Sequence, residues 1–522
     1  MEPPAALAVV LTDGKLPAVN VLLVTADQHK ATTVGAYGDP LGATPNLDRL
    51  AAQGTTFTRC RTQNPFCQPA RATILTGVHP STHGILRNGI DLPDEAVDES
   101  VATHLARAGA ATAFFGHAHF ASRTPDFPTG RVESIADSAA VPPDWCGPYV
   151  GFSHVELSIG LDFPGKEGKW SWAFGPPPFG LHYARHLFRD GHDRGVERLR
   201  LMQPEAAGRT WDHTQTWKSA LPEEDHVTTW IADRTIEWLR NVPEPFFAWV
   251  SFTAPHHPFD PPHPWCDRYD PAGVGDVIPK EQPGELEAKP AMHRSWSEGL
   301  RGTPYEWANP GWATLTDEER RTMVAAYYGM VAQVDHAVGR IVDALDQRGA
   351  GDRTLVAYTA DHGEYLGDHQ LLFKGPIHYE SLVRVPLVVR GPGFKPGARV
   401  DEPAGTIDLA PTFLHATGVP APDALEGTSL TAGTREHVLT ETEMLPNALR
   451  LRTLTTKQWR ITRDLDVDDN GELYDLSEDP GELVNRWSDP GCAAVRSDLV
   501  ATLHDVMRHD LGRELPQVCQ AG

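Results

Sequence analysis

The sequence predicts an α/β fold: a doubly wound, mainly parallel sheet followed by a small C-terminal α+β subdomain. Three observations carry that reading. Short, continuous apolar runs recur through the first 430 or so positions, as in strands buried on both faces. Longer stretches with helix start and stop signals lie between them, so that strand and helix alternate. Beyond about residue 430 the order changes, and short strand-like runs follow one another directly before a final helix-like stretch. The expected division is a large domain at 1–430 and a small subdomain at 431–522.

In chain order, Val21-Leu22-Leu23-Val24 is the first buried strand, and it runs into Thr25-Ala26-Asp27-Gln28-His29-Lys30. Thr44 to Gly54 predicts a helix with Thr44 as N-cap, Pro45 at the first position and Gly54 just past the end. Cys67-Gln68-Pro69-Ala70-Arg71 opens an apolar, helix-competent run. That places a sulfur at a helix N-terminus beside a fixed cation, a setting suited to an anion. Asp98 to Ala108 reads as a helix, and Ala111 to Gly116 as a strand running into His117-Ala118-His119.

Residues 141–221 show weak periodicity and many Pro, Gly, Trp and His, the composition of long excursions over a substrate face. Within them Gly160 to Lys166 spells a Walker-like G-x4-G-K, discounted because Glu167 stands where Ser or Thr is needed and Pro164 interrupts it. His226 to Asn241 is the next helix. Phe246 to Phe252 is the next strand, ending in Thr253-Ala254-Pro255-His256-His257-Pro258. A second irregular stretch reaches Leu315, after which Thr316-Asp317-Glu318-Glu319 forms a capping box for a helix to about Arg348. Thr354 to Thr359 is a strand ending in Ala360-Asp361-His362-Gly363-Glu364, Val385 to Val389 a further strand, and Asp408 to Thr417 a helix. In the C-terminal part Val438 to Thr440, Leu451 to Thr456 and Trp459 to Thr462 are short strands, and a helix starts near Ala493.

The net charge of −24 repels nucleic acid and anionic membrane surfaces, so neither is an expected partner. A small anionic substrate stays open, because the local field decides its binding. No apolar run approaches the eighteen or so residues of a membrane span. Met1 to Leu11 lacks a basic n-region, so no signal peptide and a cytoplasmic location are expected. The cysteines at 60, 67, 146, 266, 492 and 519 show no pairing or zinc spacing, in keeping with a reducing compartment. The irregular excursions or the final helix could join subunits of a homo-oligomer.

Four separate strands end in Asp, Gln or His, and in doubly wound sheets sites form at the carboxyl ends of the strands. A lone polar residue there is commonly a cap or turn residue; the convergence is what points to a site. Asp27, Gln28, Asp361 and His362 offer oxygen and imidazole ligands for one divalent cation, with Cys67 and Arg71 supplied by a helix.

These motifs resemble the sulfatase family of the alkaline phosphatase superfamily. The family's C-x-P-S/A-R stands here as Cys67-Gln68-Pro69-Ala70-Arg71, with Thr76-Gly77 behind it. Further landmarks are Pro45 to Leu50, the F-x-x-P-H-x-P-F run from Phe252 to Phe259, Asp361 to Glu364 with Leu366 to His369, and Lys374. Tyr379-Glu380, Arg384 to Leu387, Ile407 to Thr412, and Glu472 to Leu476 with Asp479-Pro480 complete the set. The resemblance covers roughly residues 19 to 487 and implies an alkaline phosphatase-like fold. It also implies that a formylglycine-generating enzyme converts Cys67 to formylglycine, whose hydrate is the nucleophile. Asp27, Gln28, Asp361 and His362 would then hold one divalent metal ion, Ca2+ or Mn2+, together with residue 67. Arg71 would orient the formylglycine and His119 assist its hydrate, while His256 and Lys374 grip the substrate oxyanion and protonate the leaving oxygen.

The chain departs from the family in three places. Asp27-Gln28 replaces the common Asp-Asp, and Asp361-His362 the common Asp-Asn. One carboxylate is lost and an imidazole gained, which moves the site from a hard calcium cage towards manganese or a similar ion. That donor set resembles the phosphonate monoester hydrolases of the same superfamily. Thirdly, His117 stands where G-K-x-H carries Lys, so the anion grip there is shorter and only partly charged. The expected function is a metal-dependent sulfuric ester hydrolase, a reading that rests on the retained His119, His256 and Lys374. The alternatives are a phosphonate monoester hydrolase or phosphodiesterase, a metal-binding pseudoenzyme, and a metal-dependent phosphatase that keeps the thiol. Charge does not separate the ester substrates, all monoanionic at the transferring group.

Overall fold

Apolar runs that end in polar residues become neighbouring strands, so their polar ends arrive side by side. The computed structural model describes residues 19–158 except 124 and 126, then 181–209, 212–280, 282–299, 311–444, 449–467, 471–507 and 515–519. The Walker-like stretch at 160–166 lies outside these residues.

The strands of the large sheet are β1 (Asn20–Ala26), β2 (Thr55–Phe57), β4 (Ala111–Gly116), β5 (His154–Leu157), β6 (Phe246–Phe252), β7 (Thr354–Ala360), β8 (Leu387–Arg390) and β9 (Ala398–Val400); β3 (Cys60–Arg61) and β10 (Ala404–Gly405) pair separately. The order across the large sheet is β5-β4-β6-β1-β7-β8-β2-β9. β5, β4, β6, β1 and β7 run parallel, and β8 is antiparallel to both of its neighbours. The sheet is therefore mixed and mainly parallel.

Both faces are covered, which is why the strands read as continuous rather than alternating apolar runs. Leu22, Val24, Phe115, Val250 and Tyr358 face the helices Val227–Asn241 and Asp317–Gln347, through Ile231, Leu239, Val331 and Val338. Val21, Leu23, Phe114, Trp249 and Leu355 face the other way, towards α2 (Cys67–Thr76) and the helix Leu409–Thr417, through Ile74, Leu75 and Phe413. Each such buried side chain stabilises by about 1.5–3 kcal/mol, so the central strands are held from both sides.

The C-terminal part is a four-stranded antiparallel meander of β11 (His437–Met444), β12 (Leu449–Thr456), β13 (Trp459–Asp464) and β14 (Gly471–Asp475). The helix Ala493–Val506 packs on it through Leu503, against Leu439, Leu454, Ile461, Leu473 and Trp487. Tyr474 and Leu476 share a second buried cluster with Tyr365 and Tyr379 of the large sheet's loops. Among the described residues no helix is long and apolar enough to cross a membrane.

Several local expectations change. The helix expected over Asp98 to Ala108 is two, Asp94–Asp98 and Val101–Arg107, because Ser100 caps the second by accepting from Thr103 N. Thr44 does not cap its own helix; its hydroxyl accepts from Gly35 N at 2.8 Å. The stretch at 141–221 expected to be irregular contains β5 and the helices His182–Leu187 and His192–Leu201. The capping box at Thr316 and Glu319 forms as expected.

Candidate active site

Four adjacent strands, β4, β6, β1 and β7, deliver the polar ends. Asp27 follows β1, and its N–H donates to Phe252 O at 3.0 Å, continuing the β1–β6 ladder by one bond. Gln28 then turns with φ of 66°, a left-handed conformation uncommon outside glycine. Its N–H donates to Asp361 Oδ1 at 3.1 Å and its carbonyl accepts from Tyr327 Oη at 2.8 Å, so both sides of the turn are fastened.

Cys67 is the first residue of α2. The next residue anchors that end: Gln68 N–H donates to Asn88 Oδ1 at 3.1 Å, Gln68 Oε1 accepts from Gly89 N–H at 2.8 Å, and its amide donates to Ile90 O at 2.5 Å. The loop is itself held by the chain's far end, Val518 N–H donating to Gly89 O at 2.7 Å. Cys67 Sγ lies 2.6 Å from Lys374 Nζ, 3.2 Å from His362 Nε2 and 3.5 Å from Asp27 Oδ1.

One turn along the same face, Arg71 donates through Nε to Asp361 Oδ2 (3.0 Å) and through Nη2 to Asp27 Oδ2 (3.2 Å). Its Nη1 donates to Ser251 Oγ (2.6 Å) and His117 O (2.7 Å). Arg71 is fully buried and joins the ends of four strands. Asp27 links it to residue 67, accepting from Arg71 through Oδ2 and lying 3.5 Å from Cys67 Sγ through Oδ1.

The ligand atoms of Asp27, Cys67, Asp361 and His362 all lie within 4.8 Å of one another. His362 Nδ1–H donates to Gly363 O at 2.8 Å, which fixes the tautomer and leaves the Nε2 lone pair for the cluster. Gln28 Oε1 is buried with no hydrogen-bond partner among the described residues, while Gln28 Nε2 donates to Glu364 Oε2 and to His257 Nδ1 (3.1 Å). Two carboxylates, one amide oxygen and one imidazole fit a hard-to-borderline divalent cation.

The electrostatics match. Burial raises the Asp27 pKa, but His256, Lys374, Arg71 and His362 outweigh it and hold the carboxyl well below the usual range. Burial and then the charge of Asp27 push Asp361 up. Burial opposes the charge on Lys374, but Cys67 and Asp27 outweigh it and raise its pKa. Burial and then Asp27 push the Cys67 thiol up to about 12, so the sulfur is a thiol and not a ready thiolate.

His256 Nε2 accepts from Lys374 Nζ at 2.9 Å, and its Nδ1–H donates to His257 O. Burial pushes His256 down to about 3. His257 is stacked between the rings of His256 and Phe373, at centroid distances of 4.2 and 4.0 Å. His117 and His119 follow β4 with ring centroids 5.3 Å apart. His117 Nε2 is 3.6 Å from Asp27 Oδ2. Burial and the nearby arginines push both rings well below their ordinary pKa, so His117 is neutral rather than partly charged. His117 Nδ1 and both ring nitrogens of His119 are buried without a hydrogen-bond partner among the described residues.

The structure thus brings Asp27, Gln28, Cys67, Arg71, His117, His256, Asp361, His362 and Lys374 together, and His119 joins them through the ring of His117. Sequence reasoning missed Ser251, His257 and Glu133. Glu133 accepts from the backbone N–H of His119 (2.6 Å) and Phe120 (3.0 Å), fastening His119 in its left-handed conformation, φ 54°. Ser251 and His257 lie in or beside the quoted motifs and could have been found there. Glu133 carries no local signal.

Comparison with known proteins gives a concordant picture. The sulfatase family model matches residues 19–419, and a model for the C-terminal region of N-sulphoglucosamine sulphohydrolase matches 367–509. An arylsulfatase of Clostridium perfringens is 28% identical over 483 residues, 89% of this chain and 89% of that protein. A multifunctional alkaline phosphatase superfamily protein, PehA, of Trinickia caryophylli is 31% identical over 421 residues, 79% of this chain and 76% of that protein. The crystal structure of a phosphonate monoester hydrolase of Agrobacterium radiobacter superposes with a TM-score of 0.74 at 26% identity, covering 94% of this chain and 96% of that one.

Proposed function

The chain belongs to the sulfatase family, and from that premise we propose that it is a metal-dependent sulfuric ester hydrolase whose nucleophile is a formylglycine made from Cys67. One observation carries the reading: Cys67 Sγ, 2.6 Å from Lys374 Nζ, shares a buried four-ligand cluster with Asp27, Asp361 and His362. The sulfur stands where an oxygen of the aldehyde hydrate would be. A buried thiol pushed up to about 12 is a poor nucleophile, and conversion by a formylglycine-generating enzyme removes that handicap.

A divalent cation bound by Asp27, Gln28, Asp361 and His362 would polarise the transferring group and acidify the attacking hydroxyl. The chain's own groups supply the rest. Lys374, whose charge the carboxylates of Asp27 and Asp361 favour whatever stands at residue 67, is placed to donate to an oxygen of the sulfuryl group as charge develops there. His256 Nε2 accepts from Lys374 Nζ at 2.9 Å and so orients the ammonium, and Lys374 holds the proton that this pair can pass to the leaving oxygen. Attack by one hydroxyl of the hydrate breaks the ester bond, and the other hydroxyl expels sulfate by C–O cleavage and restores the aldehyde. His119, which joins the site through the His117 ring and has no hydrogen-bond partner at its ring nitrogens among the described residues, is assigned the proton of that second hydroxyl, on its one unprotonated nitrogen.

A second reading is favoured by a specific observation: the Asp-Gln and Asp-His donor pairs and the structural likeness to a phosphonate monoester hydrolase suit a phosphonate monoester or phosphodiester. Both substrates are small anionic esters. The test is the mass of the Cys67 peptide from protein made with a formylglycine-generating enzyme, beside initial rates on an aryl sulfate and an aryl phosphonate. A mass loss for thiol-to-aldehyde conversion, with turnover abolished in Cys67→Ala, is expected, and the rate ratio chooses the ester. An unmodified thiol without turnover on either ester would sink the proposal.

A further inference from the structure

The Asp27-Gln28 pair raises a question that Asp-Asp does not. A carboxylate offers a metal the same oxygen whichever way it is turned, whereas an amide has one end that ligates and one that repels. The two ends fill nearly the same volume, so packing alone cannot choose between them; hydrogen bonding must.

Resting on the metal reading above, we propose that Glu364, helped by His257, is the positioning residue that turns the oxygen of the Gln28 amide towards the cation. The Gln28 NH2 group donates to Glu364 Oε2 and to His257 Nδ1. The carboxylate of Glu364 accepts and rejects the amide oxygen, and His257 Nδ1 does the same in the tautomer that carries its proton on Nε2. Glu364 is fully buried and its other oxygen accepts from Leu366 N–H at 2.8 Å, so it cannot swing away. The His257 ring is fixed between two aromatic neighbours. Gln28 Oε1 is left buried and without a hydrogen-bond partner among the described residues, the state expected of an oxygen that waits for a cation. The turn at Gln28 carries the same segment's N–H to Asp361, so main chain and side chain are aimed by one set of contacts.

The experiment titrates metal-free protein with manganese(II) in a calorimeter and needs no turnover. Glu364→Gln lets the Gln28 amide sit either way round, and affinity is expected to fall about 10–100-fold, as outer-sphere partners of metal ligands commonly show. In a Gln28→Ala background the same Glu364→Gln change is expected to cost less than about threefold, because no amide remains to be turned. An equal loss in both backgrounds would mean that Glu364 acts only through its charge, and would overturn the inference. So would an unchanged affinity in Glu364→Gln. Should that variant fail to fold, the exchange Gln28→Glu/Glu364→Gln keeps an amide–carboxylate contact and the net charge; it should bind within about threefold of the parent, and a loss beyond about tenfold overturns the inference. A parent protein that takes up no manganese would instead overturn the metal reading itself, and the role of Glu364 with it.

Discussion

Arg71 touches the ends of four strands through three nitrogens, and a lysine in its place has one nitrogen on a shorter fork-less stem. Arg71→Lys would leave Asp27 or Asp361, both buried, without its hydrogen-bonded guanidinium partner. The expected loss is about 3–5 kcal/mol of stability, read as a fall in the denaturation midpoint. A variant as stable as the parent would show that the carboxylates do not depend on this cation. The Cys67–Arg71 spacing and the Asp and His residues at strand ends were legible from the sequence because their chemistry is local. Their partners were not: Ser251 Oγ is 180 positions from Arg71, and Glu364 is 336 from the amide it turns. No periodicity or motif spacing encodes which side chain meets which across such separations.

At the scale of elements, the placement of Cys67, the proposed nucleophile, depends on how the first turn of α2 is fastened. Gln68 is completely buried and ties that turn to residues 88–90 by three hydrogen bonds, two of them from its side chain. Gln68→Ala leaves Gly89 N–H and Ile90 O buried and unpaired, at about 1–3 kcal/mol. It should lower kcat more than it raises KM, because Cys67 loses its fixed distance to Lys374. Parent values for both stability and kcat would show that α2 is held from elsewhere. The helices were readable where cap signals and period agreed, as at Thr316. The helix expected from Asp98 starts at Val101, because Ser100 caps it from inside an otherwise continuous pattern, and the short helix Asp94–Asp98 before it went unread. β2 and β5, of three and four residues, are too short for any period to declare itself.

At the scale of the whole molecule, the alternation of strand and helix gave away the class of sheet but neither its order nor the reversed direction of β8, since a strand buried on both faces looks alike whichever way it runs. Stability should also depend on buried histidines outside the proposed ligand set. Burial pushes His226 and His293 down to about 4. Both stay neutral in the folded chain below pH 6.5, where an unfolded histidine takes up a proton. Their contribution is therefore whole above about pH 6.5 and is lost as pH falls towards 4, at up to about 1.4 kcal/mol per histidine per pH unit. The melting temperature should drop steadily from pH 6.5 to 5; a flat profile over that interval would count against the assignment. One further consequence lies in the 295 positions between Cys67 and His362. In the folded chain the Cys67 side chain is 1% exposed beneath Lys374. A ribosome adding about 5–20 residues per second needs roughly 15–60 s to travel from one to the other. For most of that interval β7, which will wall the cysteine in, has not been made. Under the proposed formylglycine reading, the modifying enzyme works against that clock, and the yield of active protein would be set by a race between modification and synthesis.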